Sequence, residues 1–502
     1  MSLQEVSFPL VHISILGTTV FSEQDLLPLW EPRQGKEVSL GDVYKIVDAI
    51  TAKYRKAGYL LAYAFLPAQR IEHGVVTLHV YEGYLQRVLF EGNIGGSKAI
   101  LEGYAKKLSE ALPLHLSVLE RYLLLINDLP GVRAEATLQP SETMDGASEL
   151  VIALEHQPFQ VIGEINNRGN SFVGPLQALI GGRANSALGF YEEAGFRFAT
   201  TPLATGELQF LDFQAARVVG GEGTEVSVTG IFSWSKPRGS VQSLGIENDT
   251  AGFDLSITHP ILRSMEANLW LTGSFLFQNN STDLFNGTSV LTRDRIRVLR
   301  VRALGTLFNR TGADNLMMVE ISQGLNIFNA SKSGSANLSR TDGQSDFTKV
   351  RAEALRSQPL GAGFSGLLGI TGQYSFDVLL ASREFGIGGP AYVRAYDPSE
   401  QLGDSGIALK VELQYGHAMK KRYLHSYQVY AFYDFGTTWN RDASPGTDSN
   451  SSLDAAGAGV RATLTRRISG YLEIAKPLAG GVFSRGGDPN SPRVFFTLLG
   501  QF

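Results

Sequence analysis

The hydrophobic pattern along the chain changes period once. Before about Pro158, runs of apolar residues at helical spacing separate short alternating stretches. Beyond it only alternation remains, as far as the terminal Phe502. In one stretch Tyr427, Val429, Ala431, Tyr433 and Phe435 share a face, while Gln428, Tyr430, Phe432 and Asp434 share the other. In another, Ile407, Leu409, Val411, Leu413 and Tyr415 alternate with Lys410, Glu412 and Gln414. The pattern predicts about sixteen strands between Phe159 and Phe502, the signature of a transmembrane β-barrel with apolar residues toward lipid and polar ones toward a lumen. Long polar links at Asn279–Arg293, Asn329–Asp346 and Arg441–Ser452 are predicted to be extracellular loops, and short links periplasmic turns. Arg295, Arg297, Arg300 and Arg302 change phase within one strand, which predicts either a bulge there or a misplaced strand boundary.

The first part of the chain reads as strand, helix, helix, strand, strand, twice over. Val11, Ile13 and Ile15 alternate, and Ser22 is the predicted N-cap of a helix from Glu23 that turns Leu26, Leu27 and Trp30 inward. Val43, Val47, Ile50 and Tyr54 mark a second helix that stops at Gly58. Strands at Leu60–Phe65 and Val75–Tyr81 follow. The order returns with a strand at Leu85–Phe90, helices at Ser97–Leu112 and Leu116–Asn127, and strands at Val132–Leu138 and Glu149–Leu154. A period of roughly 75 residues marks a tandem module rather than a solenoid. The predicted architecture is two α+β modules (βααββ) at 1–83 and 84–158, then an all-β barrel at 159–502.

Composition narrows the function. No apolar run approaches the roughly 18 residues of a transmembrane helix, which leaves a barrel untouched. The 55 glycines, 28 phenylalanines and 18 tyrosines suit a barrel, and the chain has no cysteine. A net charge of −5 without any Lys/Arg-rich run gives no sign of nucleic acid as a partner. His12, His73, His79 and His115 lack metal-ligand spacing, and Val219–Gly223 is glycine-rich without a helix after it, so it does not fit a phosphate loop. No catalytic residue, cofactor site or metal site is nominated, and the chain reads as a non-enzyme. Met1–Glu5 has neither the basic nor the apolar region of a signal peptide. Because a barrel protein must cross the inner membrane, a trimmed start is expected.

Two short motifs then give the pattern a family. Val393-Arg394-Ala395-Tyr396 and Phe432-Tyr433-Asp434-Phe435-Gly436 resemble the paired motifs of the BamA/TpsB superfamily of outer-membrane transporters. There, V-R-G-[YF] lies on a loop that folds back into the barrel, here at about 381–406, and F-x-D-x-G lies on a following strand. Ala395 departs from the motif glycine, and glycine serves where φ is positive or the backbone passes close to a neighbour; a less sharply turned loop tip is expected. Gly58-Tyr59, Leu66-Pro67-Ala68-Gln69 and Tyr81-Glu82-Gly83 resemble the first POTRA domain of TpsB proteins. Two POTRA domains match the TpsB branch, whereas the insertase branch has more and the patatin-fused branch adds a lipase.

The resemblance implies a two-partner secretion transporter in the Gram-negative outer membrane, with its POTRA domains in the periplasm and an unfolded exoprotein threaded through the barrel. It implies three partners: a secreted exoprotein with an N-terminal secretion domain, outer-membrane lipid, and the barrel-assembly machinery that reads the terminal Phe502. TpsB relatives also carry a plug helix and linker before the first POTRA domain, and neither is visible here. Arg394 and Asp434 become a loop-docking pair, with Val393, Tyr396, Phe432 and Gly436 completing the motifs. A barrel insertase and a diffusion channel or receptor remain as alternatives. Lys349, Arg351 and Glu353 share a luminal face and receive no specific role.

Overall fold

The structure is a computed structural model that describes residues 7–502 apart from 142, 145, 204–205, 310, 442–449 and 480–489. Most of the predicted link Arg441–Ser452 therefore lies outside the described residues. The chain divides into two compact units, 1–157 together with 220–222, and 158–219 together with 223–502.

The N-terminal unit contains two three-stranded sheets of one design. In the first, Val75–Tyr81 lies between His12–Leu16, parallel to it, and Tyr63–Phe65, antiparallel. In the second, Ala147–His156 lies between Tyr84–Gly92, parallel, and Val132–Pro140, antiparallel. Helices supply the crossovers that parallel pairs require. Leu40–Lys56 starts at a capping box in which Ser39 Oγ and the Asp42 carboxylate each accept the other residue's backbone N–H. Its Val43, Ile46, Val47, Ile50 and Tyr54 recur at helical spacing and are buried against the first sheet's core. The helix predicted from Glu23 covers only Glu23–Leu26 and continues as 3-10 turns at Leu27–Leu29 and Glu31–Arg33. Pro28 and Pro32 lack the N–H that further α turns would need. Leu26 and Trp30 still reach the core.

His115 caps Leu116–Asn127 and closes the joint between the two modules. Its ring lies edge-on to Tyr59 and its Nε2 stands 3.0 Å from the Ala57 carbonyl oxygen, while the Leu116 N–H donates to Gly58 O at 2.8 Å. A Cβ on Gly58 would come within 2.4 Å of His115 Nε2, so the positive-φ helix stop is also the contact surface.

In the second unit, among the described residues, sixteen antiparallel strands pair in sequence order and close into a barrel. Phe159–Asn166 pairs with Arg493–Gln501 at the seam, where Thr497↔Asn166 to Gln501↔Ile162 are in register. An even count lets first and last strands meet antiparallel. Alternation sorts the side chains: Val411, Leu413, Val429 and Tyr433 are exposed on the outer face, and Glu412, Gln414, Phe432 and Asp434 are buried inside. One end carries tight turns such as 264–266, 362–363 and 422–423, and the other end carries the long links.

Two expectations are corrected. Asn279–Arg293 is not a loop: strands Ala267–Leu284 and Ser289–Phe308 run on through it and leave only 285–288 as a link. The predicted bulge at the four arginines is also absent. Pairing runs unbroken from Ala267↔Leu307 to Thr282↔Thr292 and shifts only at Thr282/Asp283. A barrel strand needs roughly 9–11 residues to cross the bilayer, and this one has 20, so its upper part stands clear of lipid. Arg300 and Arg302 face the lumen, whereas Arg295 and Arg297 lie on the outward phase beneath the link 325–347. Arg297 donates to Phe328 O at 3.2 Å and stacks on Phe277, while Ser331 N–H reaches Arg295 O.

Candidate functional site: the loop docked in the barrel

The link between strands Phe364–Ser375 and Ser405–Lys421 folds into the barrel as a hairpin, Phe385–Ile387 paired with Gln401–Gly403. Its apolar residues Phe385, Ile387, Tyr392, Val393 and Tyr396 pack with the inward-facing Tyr430, Phe432, Leu453, Ala455 and Phe495. The wall is shaped to receive them. A Cβ at Gly436 would lie 3.0 Å from Val393 Cγ2 and 3.1 Å from Ile387 Cγ2, so the motif glycine leaves room for the loop. A Cβ at Gly457 would meet the Phe432 ring at 2.5 Å, so that ring lies flat on a neighbouring strand.

At the tip the turn falls at a different residue from the one expected. Ala395 does not have a positive φ; Val393 does, at 58°, after Gly388 and Gly389 at 107° and 98°. Ala395 is fully buried, so the position requires a small side chain rather than a left-handed one. The expectation of a looser tip is overturned, because a β-branched residue holds the left-handed conformation, at a cost of about 1–3 kcal/mol that the surrounding packing offsets.

The turn aims Arg394 at Asp434. Nε donates to Oδ2 at 2.8 Å and Nη2 to Oδ1 at 2.7 Å, and the Arg394 backbone N–H adds a third bond to Oδ2 at 3.0 Å. Asp434 is inaccessible to solvent and Arg394 nearly so. The guanidinium stacks 3.6 Å from Phe432, donates through Nη1 to Glu412, and lies 3.7 Å from Glu473.

Sequence reasoning missed the outer ring of this network. Arg461 grips both Glu412 oxygens at 3.0 and 3.1 Å. Arg168, just past the first barrel strand, donates to Glu473 at 2.5 Å and to the Arg394 carbonyl at 3.1 Å, and stacks 3.9 Å from Phe495. Tyr430 donates to Glu473 at 2.8 Å. Arg493 donates to Ala395 O at 2.7 Å and pairs with Asp397, while Tyr396 donates to Asp454 O. Arg168, Arg461 and Arg493 with Glu412, Asp434 and Glu473 thus enclose the loop's own Arg394 and Asp397.

Of the other residues singled out in the sequence, Phe502 lies apart from this site, and Lys349 and Glu353 touch the loop only at Arg383 and Tyr392. The Phe502 ring is exposed at the seam, where its backbone exchanges two 2.8 Å bonds with Val161. Lys349 is held by Gln373 and Arg383 O, and Glu353 accepts a 3.3 Å bond from Tyr392.

Residues 8–83 match the family described as POTRA domain, ShlB-type, and residues 235–462 match that described as Haemolysin secretion/activation protein ShlB/FhaC/HecB. The chain is 24% identical over 485 residues to the haem/haemopexin transporter protein HuxB of Haemophilus influenzae strain 86-028NP, covering 95% of this chain and 85% of the relative. It is 23% identical over 491 residues to the outer membrane transporter CdiB of Escherichia coli, covering 94% and 79%. The chain belongs to the TpsB family. The solved CdiB of Escherichia coli shares the fold, at TM-score 0.79 and 20% identity over 100% of this chain and 92% of that one. BamA from Haemophilus ducreyi, lacking POTRA domains 1–3, shares it more loosely, at TM-score 0.56 and 14% identity over 99% and 100%. As a TpsB protein, the chain resides in the outer membrane with its POTRA region in the periplasm, which puts the tight turns on the periplasmic side. TpsB proteins are transporters.

Proposed function

We propose that this TpsB protein captures an unfolded exoprotein at its POTRA sheets and passes it through the barrel once the docked loop leaves the lumen. The observation that carries this reading is the loop tip itself, held inside the barrel by a buried ionic network. Residues 1–83 and 84–158 are the two capture modules, and 159–502 is the conduit, with the gating loop at about 381–406. Capture uses strand addition. Val132–Pro140 pairs with Ala147–His156 on one side only, among the described residues, and its exposed edge offers backbone donors and acceptors to an extended client. The client carries an N-terminal secretion domain. Lipid contacts the outward apolar faces, and the barrel-assembly machinery reads Phe502.

The purified full chain is reconstituted in liposomes and offered the N-terminal secretion domain of a two-partner exoprotein. Protease-protected import is expected, and Ala136→Pro, which removes one donor facing the free edge, should weaken capture while the barrel still forms. Ion flux with no polypeptide crossing would overturn the reading in favour of a diffusion channel.

A further inference from the structure

Between the root of the infolded loop and the wall lies a second polar cavity of about 280 Å³, separate from the Arg394 network. Strands Ser289–Phe308 and Thr348–Gly361 contribute Arg300, Arg302, Lys349 and Arg351, and the loop root contributes Arg383. Against these five cations the lining has two carboxylates, Glu320 and Glu384.

Their pairing leaves two cations over. Arg302 takes Glu320 at 2.8 Å, Glu384 is held by Arg340, and Arg300 reaches out of the cavity to Asp254. Arg351 has Glu353 at 3.9 Å. Lys349 and Arg383 form no ion pair among the described residues. Lys349 Nζ donates to Gln373 Oε1 at 2.9 Å and to Arg383 O at 2.8 Å, which leaves one of its three hydrogens unused. Arg383 uses Nη2 on Gln278, while its Nε is shielded from solvent and without an acceptor. A cation withdrawn from water needs a counter-charge, and a shielded N–H needs an acceptor.

We infer that this cavity is a binding site for a small dissolved oxyanion of the phosphate class, held by Lys349 and Arg383 with Arg300 and Arg302 beside it. A tetrahedral anion has oxygens for an ammonium and a guanidinium edge at once, and guanidinium matches it in shape as well as charge. The cavity opens to the lumen rather than to the lipid face, because Leu299 and Val301 carry that face, so the anion comes from solution and not from a lipid headgroup. One of its ligands belongs to the loop and the others to the wall. A bound anion therefore fastens the loop root in place, and the docked state is the one it favours. This goes beyond the transport reading and does not depend on it.

The test is calorimetric titration of inorganic phosphate into the detergent-solubilised full chain, at constant ionic strength set with chloride. Saturable binding is expected, displaced by sulfate, with affinity falling at least tenfold in Lys349→Gln and in Arg383→Gln. Heat-modifiable migration shows that each variant is a folded barrel. If either variant fails to fold, sulfate displacement and phosphorus NMR line-broadening on the unmodified chain decide the matter. No saturable binding, or equal binding in all three proteins (an adventitious ion only), overturns the inference. So does binding of an acidic peptide with none of phosphate.

Discussion

Arg394 and Asp434 are joined by three hydrogen bonds, two from the guanidinium and one from the arginine's own backbone N–H. The carboxylate therefore fixes the loop's main chain as well as its side chain, and the left-handed Val393 is what turns both donors toward it. Losing one partner of a buried pair leaves the other charge stranded, at a cost of about 3–5 kcal/mol.

Arg394→Ala and Asp434→Ala should each leave a heat-modifiable barrel in the outer membrane and sharply reduce exoprotein secretion. The double substitution should be no worse than either alone, since all three delete the same interaction. Arg394→Lys should recover only partly, because an ammonium cannot reproduce the fork. Fully additive losses, measured as secreted exoprotein per barrel, would show that the residues act separately.

Gly436→Val tests docking without touching a charge. Its Cβ would stand 3.0 Å from Val393 Cγ2, and the added methyls leave the loop no room. Conductance in planar bilayers should rise to that of a chain lacking residues 386–403, and secretion should fall as it does for Arg394→Ala. A barrel as quiet as the unmodified one would place the loop's hold elsewhere than against this strand.

In the first POTRA domain, Glu82 accepts bonds from the Thr19 and Val20 N–H groups at 2.7 and 2.8 Å and from the buried Tyr54 hydroxyl at 2.7 Å. Partial burial raises its pKa, but the bonds from Thr19, Val20 and Tyr54 outweigh that and hold the carboxyl below its ordinary range. A depressed folded pKa gives stability that is present above the unfolded value of about 4.3 and lost as pH falls through the folded one. Glu82→Gln should remove this acid dependence. Glu82→Ala, which strands the Tyr54 hydroxyl, should cost about 1–3 kcal/mol. Hydrogen exchange of helix Leu40–Lys56 across pH 5 to about 3 reads both.

The barrel was legible because strict alternation admits few other structures, and Arg394 and Asp434 because motifs flagged them. The alternation failed where strands outran the bilayer. Polar Asn279–Arg293 looked like a loop because a strand in water needs no apolar face. Glu412 and Glu473 were invisible for a different reason: a single carboxylate on an inward phase reads as solvation of a wet lumen. Arg168 lies 305 residues from Glu473 and reaches it only because the barrel closes. Val393 held no cue, since no propensity assigns a valine to the left-handed region.

Around the loop tip, Arg168, Arg394, Arg461 and Arg493 face Asp397, Glu412, Asp434 and Glu473, four charges against four. Of the eight, Arg394 and Asp397 ride on the loop. Withdrawal of that loop would carry off one charge of each sign, so the constriction it vacates would keep three of each. Widening the passage would then uncover a wall that is densely charged yet balanced, with no net sign to retain a passing segment of either charge.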